Sequence, residues 1–280
     1  MPYVTNRGAK IYWEEHGSGP PVLLIMGLSF TSEMWFRVVP HLTKSYRTIT
    51  FDNRGIGKSD VPRGPYTIRT LASDAEAVLD AAGVTAAHVV GASMGGMIAQ
   101  ELALRSPGRV LSLVLGCTSY SGLFSKWPNF RNGPNRVAWL RASRLQREWA
   151  MRPMLYAAGT LDELIEEDIR VRCQCGWTYK GVLSQLAGIL LWSSYSRLPS
   201  LKVPTLVVHG EEDHVLPPQN GQVVASRIPH ARFVLIPGAG HILMTDQPEI
   251  TIQHLLRFLR EVSGSQDQNA GEAAPAKEGV

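Results

Sequence analysis

The stretch whose reading decides the fold is His88-Val89-Val90-Gly91-Ala92-Ser93-Met94-Gly95-Gly96-Met97. A short β-rich run, His88 to Val90, leads into Gly-Ala-Ser-Met-Gly, and from Gly95 to Leu104 the spacing becomes helical. A strand that turns at once into a helix forces its corner residue into a strained backbone shape and needs small neighbours. Gly91, Ala92, Gly95 and Gly96 supply that smallness. The corner residue is Ser93, and such a turn lifts its hydroxyl above the C-terminal edge of a sheet, where pockets of open α/β sheets form. The G-x-S-x-G pattern is weak alone; the strand before it and the helix after it give it weight.

Outward from Ser93 the alternation repeats. Ala9 to Glu15 reads as an edge strand, Pro21 to Met26 as a strand buried on both faces and ending at Gly27, and Tyr46 to Phe51 as a strand ending in Asp52-Asn53-Arg54-Gly55-Ile56-Gly57. Helical spacing is predicted over Ser32 to Leu42, opened by Thr31 or Ser32, and over Thr67 to Ala82, stopped by Gly83. Downstream, Val110 to Leu115, Pro204 to His209 and Phe233 to Ile236 read as strands. Pro248 to Val262 closes as an amphipathic helix with Ile252, Leu255, Leu256 and Leu259 on its apolar stripe. This rhythm predicts an α/β fold, a mostly parallel sheet with helices on both faces.

From about Ser119 to Leu198 the strand rhythm stops. Five of the seven tryptophans fall there, namely Trp127, Trp139, Trp149, Trp177 and Trp192. The expected organisation is a core of residues 1–119 and 201–262 and a helical cap at 120–200, the tryptophans forming its own core, an apolar lid, or both. Residues 263–280 are polar, with almost nothing to bury, and are expected to be disordered.

Composition bounds the rest. The chain has 280 residues, 44% hydrophobic and 19% charged, with net charge +4, enough for a large core without disulfides or metal. Lys and Arg are scattered, and the cluster Arg141, Arg144, Arg147, Arg152 reads as a solvated helix face, so no nucleic-acid partner is expected. Three cysteines, Cys117, Cys173 and Cys175, fit a reducing compartment, and the Cys173-x-Cys175 pair lacks companions at ligand spacing, so no metal is expected. The N-terminus does not read as a signal peptide and no run is long enough to span a membrane; the expectation is a soluble, cytoplasmic protein with no membrane partner.

A serine becomes a nucleophile only when a base takes its proton and a carboxylate orients that base. Of eight histidines, His241 follows the last strand after Pro237-Gly238-Ala239-Gly240, at the sheet edge expected for Ser93. His88 and His209 lie in strands and read as packing residues. His16, His41, His230 and His254 read as surface or helix positions, and His214 is a sequence neighbour of Asp213 that would point away from it. The candidate acid is Asp213, after the Pro204–His209 strand, with Glu211 and Glu212 as rivals; Cys117-Thr118-Ser119, after the preceding strand, offers none. The oxyanion of a tetrahedral intermediate needs backbone donors. Met94 N–H is one candidate, and the Gly27-Leu28 loop, with Leu28 first, supplies the other.

The order Ser93, Asp213, His241, the loop Met26-Gly27-Leu28 and the segment Asp52-Asn53-Arg54-Gly55-Ile56-Gly57-Lys58-Ser59 together resemble the α/β-hydrolase superfamily over about residues 9 to 262. Within it the chain looks most like capped esterases and lactonases, such as the 3-oxoadipate enol-lactonase and aclacinomycin methylesterase groups. Many members carry His-Gly where this chain has Met26-Gly27; the methylesterase-like group also tolerates Met. Ser93 at the corner, instead of Asp, separates it from the haloalkane dehalogenase and epoxide hydrolase branches. The resemblance implies a serine hydrolase for a small-molecule ester or lactone, needing no cofactor. The alternatives are a C–C bond hydrolase, a cofactor-free perhydrolase with the same three residues, and a ligand receptor with weak turnover. The acyl and alcohol parts of the substrate and the oligomeric state stay open.

Overall fold

The computed structural model describes residues 3–126 and 141–272. Its strands are β1 (Tyr3–Asn6), β2 (Ala9–His16), β3 (Pro21–Ile25), β4 (Arg47–Phe51), β5 (Ala87–Ala92), β6 (Val110–Gly116), β7 (Thr205–Gly210) and β8 (Arg232–Ile236). They form one sheet in the order β1-β2-β4-β3-β5-β6-β7-β8. β1 pairs antiparallel with β2, and β2 with β4; from β4 to β8 every pairing is parallel. The near-continuous apolar runs of β3, β5 and β7 are those of strands covered on both faces.

Helix α1 (Val39–Leu42) and the closing helix Pro248–Glu272 share one buried apolar layer, and α2 (Ile68–Ala81) and α3 (Met94–Arg105) share the other. Thr67 caps α2, its side chain accepting from Thr70 N–H.

Three details differ from the sequence reading. The expected helix over Ser32 to Leu42 breaks into a 3-10 turn, Ser32–Trp35, and the single turn α1, because Pro40 brings no N–H and its ring would clash with the carbonyl of Phe36 in a continuous helix. Strand β1 precedes the expected edge strand and reverses into it through Arg7-Gly8, both at positive φ as a two-residue hairpin turn of this hand requires. The closing helix continues to Glu272, ten residues past the last apolar position at Val262, since no proline interrupts it; residues 273–280 of the expected disordered tail lie outside the described residues.

Between β6 and β7 lie the helices Arg144–Ala150, Arg152–Leu155, Asp162–Gln174 and Tyr179–Leu190. The first opens on a capping box, Ser143 and Gln146 each bonding the other's backbone. Trp192 is buried and its Nε1 donates to Glu101, Trp149 packs against a core layer, and Trp177 faces the cavity described below. Trp127 and Trp139 lie outside the described residues.

Arg54, in the segment after β4, ties this frame together. Its Nε lies 2.6 Å and one Nη 2.5 Å from the two carboxylate oxygens of Asp74 on α2. Asn6 of β1 adds a third donor at 2.7 Å, and Asp74 is fully buried. Burial pushes the Asp74 carboxyl up, against the Arg54 charge and hydrogen bonds. Removing one partner strands the other in a dry interior. Asp74→Ala is therefore expected to cost about 3–5 kcal/mol in urea unfolding. The double replacement Arg54→Met with Asp74→Leu is expected to recover most of the loss.

Candidate active site

Ser93 sits between β5 and α3 at φ 57° and ψ −120°, a conformation that non-glycine residues rarely hold. Two glycines make it attainable. A Cβ on Gly91 would strike the carbonyl of Gly95, and a Cβ on Gly95 would strike the carbonyl of Ile25 at the end of β3. The corner is fastened by Ser93 N–H to the Gly116 carbonyl at 2.8 Å and by the Thr118 hydroxyl, which donates to the Ser93 carbonyl at 2.7 Å. Ser29 and Cys117, at the ends of two neighbouring strand loops, also have positive φ, so backbone strain collects at this edge.

The chain leaves β3 toward β4 on one side and returns to β5 on the other, so the crevice at their C-terminal ends is a topological switch point. Gly27 and Leu28 come off β3 there, and a Cβ on Gly27 would lie 3.0 Å from the Ser93 Cβ. Gly27, Leu28, Ser93, Met94 and His241 all line one cavity. Met94 begins α3, so its N–H is among those a helix start leaves without an intrahelical acceptor.

The Gly27-Leu28 loop is held by residues the sequence reading did not single out. Asn53 Nδ2 donates to the Met26 carbonyl at 2.9 Å. Gln185, fully buried between the insertion and the core, accepts from Ser29 N–H at 3.2 Å and donates to the Arg54 carbonyl at 3.0 Å. Asp52 accepts from the Ser32 N–H and hydroxyl, both at 2.8 Å. The segment after β4 is thus a bracket for the loop after β3. An Asn and an Asp directly after a strand were the available signal.

Asp213 follows β7 and His241 follows β8, as their sequence positions predict. His241 Nδ1 lies 2.9 Å from Asp213 Oδ2. The other carboxylate oxygen accepts from Val215 N–H at 2.9 Å and Leu216 N–H at 2.8 Å. His209, read from sequence as a packing residue, also reaches the acid: its Nε2 lies 3.2 Å from Asp213 Oδ2 and 2.7 Å from the Leu216 carbonyl. A carbonyl only accepts, so His209 carries its proton on Nε2 and shares it between these oxygens. Burial raises the Asp213 carboxyl, but the His241 charge and the hydrogen bonds from both histidines outweigh it and hold the group well below the ordinary carboxylate range. Glu211 and Glu212, the rival acids, stay at the surface side of this loop, Glu212 accepting from Ala158 N–H. His88, by contrast, is a packing residue: burial lowers it to about 4, and Ser112 is its partner at 2.8 Å.

The His241 loop is clamped from two sides. The Leu155 carbonyl, at the end of an insertion helix, accepts both His241 N–H at 2.8 Å and Ile242 N–H at 3.1 Å. Gly240 N–H donates to Asp246 Oδ2 at 2.6 Å, and the Thr160 hydroxyl donates to Asp246 Oδ1 at 2.6 Å.

Among the described residues, one grouping has metal-ligand types within reach of each other: Cys117, His209 and Asp213, their ligand atoms within 4.8 Å. Its members are already committed. The Asp213 oxygens accept from the donors above, and burial followed by the Asp213 charge pushes the Cys117 thiol well up, keeping it protonated. Cys173 and Cys175 form no such grouping, and all three cysteines are free.

The cavity measures about 910 Å³ and runs between the sheet edge and the insertion. Arg144 and Arg147, expected on a solvated face, line it, and each is engaged: Arg144 donates to the carbonyls of Arg172 and Cys175, and Arg147 to the Tyr179 hydroxyl. Arg172 pairs with Glu148 and stacks over Phe30. No helix among the described residues is long and apolar enough to cross a membrane.

The profile of the family described as alpha/beta hydrolase fold matches residues 20–137 and 145–248. The chain belongs to the α/β hydrolase fold family. This hydrolase is 31% identical over 270 residues to "Putative carbamate hydrolase RutD" of Azorhizobium caulinodans, covering 94% of this chain and 99% of the relative. It superposes on the enol-lactonase of Burkholderia xenovorans LB400 with TM-score 0.80 and 26% identity, covering 92% and 100%. A thermophilic esterase from Thermogutta terrifontis gives TM-score 0.79 and 29% identity, covering 94% and 97%.

Asp246 gives the hydrolase a pH signature. Burial lifts its carboxyl from 3.8 to about 6. The native state therefore binds this proton more tightly than the unfolded chain; the stabilisation is complete below about pH 4 and is lost as pH rises through about 6. Asp246→Asn keeps an acceptor for Gly240 and removes the titration. Its stability relative to wild type is expected to rise by on the order of 2 kcal/mol between pH 4 and pH 7 in urea unfolding.

Proposed function

We propose that the protein hydrolyses a carboxylic ester or lactone of a small molecule through an acyl-enzyme on Ser93. The observation that carries the reading is the Asp213–His241 hydrogen bond, at 2.9 Å, behind a histidine that shares an apolar cavity with a strained serine. With Nδ1–H donated to Asp213, the His241 proton sits on that side and Nε2 is left bare as a base. His241 takes the Ser93 proton as Oγ attacks the carbonyl carbon, and Asp213 stabilises the imidazolium that forms. The N–H groups of Leu28 and Met94 receive the oxyanion, each worth roughly 10²–10³ in rate. Collapse expels the alcohol, which takes its proton from His241; in a lactone the alcohol stays tethered to the acyl group. Water activated by His241 then releases the acid and restores Ser93.

The esterase and lactonase neighbours support this chemistry over C–C bond hydrolysis. Perhydrolysis would use the same acyl-enzyme with hydrogen peroxide in place of water. An intact acid–histidine pair permits a receptor with weak turnover but does not favour it.

Two measurements test the reading. Ser93→Ala is expected to lower kcat/KM on p-nitrophenyl butyrate by at least about 10³-fold, with loss of fluorophosphonate labelling. Equal rates in the two proteins sink the proposal. His209→Leu, which takes one donor from Asp213, is expected to lower kcat/KM roughly tenfold and move the acid limb of the pH–rate profile to higher pH, because a less solvated carboxylate favours the charged imidazole. His209→Gln, which can return an N–H near the place of Nε2, is expected to stay within about threefold of wild type.

A further inference from the structure

The chain has eight methionines, and seven of them line this one cavity: Met26, Met34, Met94, Met97, Met151, Met154 and Met244. The eighth, Met1, lies outside the described residues. They arrive from five places: the end of β3, the 3-10 turn, the first turn of α3, the insertion, and the short helix Leu243–Asp246 after His241. Met94 and Met97 are spaced i, i+3, as are Met151 and Met154, so each pair presents one helical face.

Methionine is unbranched, has three rotatable bonds and carries a polarizable sulfur. It fills irregular space, reshapes at little cost and contacts aromatic rings favourably. A wall of this kind does not select one rigid small shape. A pocket near 910 Å³ stands at the upper end of the ~300–1,000 Å³ range that encloses drug-sized ligands, and an acetyl or methyl ester leaves most of it unfilled. Phe30 and Trp177 add flat apolar surface to the same wall.

Three arginines that line the cavity, Arg144, Arg147 and Arg172, are engaged within the protein; Lys126 lines it as well. One Nη of Arg144 donates to the carbonyls of Arg172 and Cys175, Arg172 pairs with Glu148, and Arg147 donates to the Tyr179 hydroxyl, so these three cations brace the helices between β6 and β7.

Resting on the ester or lactone reading above, we propose that the substrate's bulk is large, apolar and variable in shape. Medium-chain aliphatic or fused-ring aromatic esters and lactones are the chemical class, and the methionine wall is the specificity element that admits them. The chemistry at Ser93 is unchanged; the wall supplies binding that grows with apolar area.

The test separates this proposal from the one beneath it. Binding is read first, with catalysis removed: Ser93→Ala is titrated with the methyl esters of acetic, octanoic and 2-naphthoic acids by isothermal titration calorimetry. Octanoate and naphthoate esters are expected to bind at least tenfold tighter than acetate; burying one methylene is worth about fourfold at most. Turnover is read second in wild type, with the acid varied from acetate to decanoate and, separately, the alcohol varied from methyl to octyl. A rise of at least tenfold in kcat/KM in either series supports the proposal. A maximum at two to four carbons in both series, with no gain in binding, overturns it even if the short esters turn over. No turnover of any ester with tight binding of the bulky ones overturns the ester reading and leaves the apolar pocket standing. The methionines are tested with Met97→Leu, Met154→Leu and Met244→Leu combined, a near-isosteric change that such cores tolerate. The stiffer wall is expected to spread kcat/KM between octanoate and naphthoate esters at least fivefold further apart than in wild type. An unchanged spread removes methionine as the specificity element.

Discussion

The structure depends on two side chains that are not there. Where β5 turns into α3, the backbone of Gly95 passes so close to the end of β3 that a methyl group would collide with the Ile25 carbonyl, and Gly91 meets Gly95 in the same way. This contact fixes the angle between strand and helix. It also sets Ser93 at φ 57° and brings the loop after β3 alongside it. Ser93 and the Gly27-Leu28 loop are therefore adjacent for one steric reason. Five parallel pairings then carry Asp213 and His241 to the same edge, because parallel strands all end on one side.

Electrostatics build on that geometry. Asp213 is buried, and burial alone favours its neutral form. The His241 charge and the hydrogen bonds from His209 and His241 reverse the balance. Asp246, a few residues after His241, lies in a comparable setting without a cationic partner, and there burial wins. Two carboxyls flank one histidine loop and are driven in opposite directions. One is kept charged against the imidazole, and the other holds the backbone that carries it.

Much of this was legible in the sequence. Apolar runs ending in glycine marked β3 and β5, and small residues around Ser93 marked the turn. Asp213 and His241 could be chosen because each lies in the loop that follows a strand. What escaped the sequence depended on distant partners. His209 has strand character and looked like packing, yet β7 carries its ring back over Asp213, four residues on. Asn53 and Gln185 act on backbone carbonyls and amides 27 to 156 residues away, and no local pattern announces such bonds. The break at Pro40 and the helical extension past Val262 turn on one residue's missing N–H and on the absence of any stop signal. The methionine wall was half visible, in the paired spacings 94/97 and 151/154, but nothing local said that the two faces meet.

One carbonyl has consequences for how such proteins diversify. The Leu155 carbonyl accepts both His241 N–H and Ile242 N–H, so the insertion grips the His241 loop directly. The roof of the pocket and the position of the imidazole are one mechanical part. An insertion transplanted from a relative would arrive without its grip unless the residue equivalent to Leu155 landed in register. New substrate ranges on this scaffold are therefore more accessible by changing side chains within the existing roof than by exchanging roofs whole, and the pliable wall beneath it is the part with room to change.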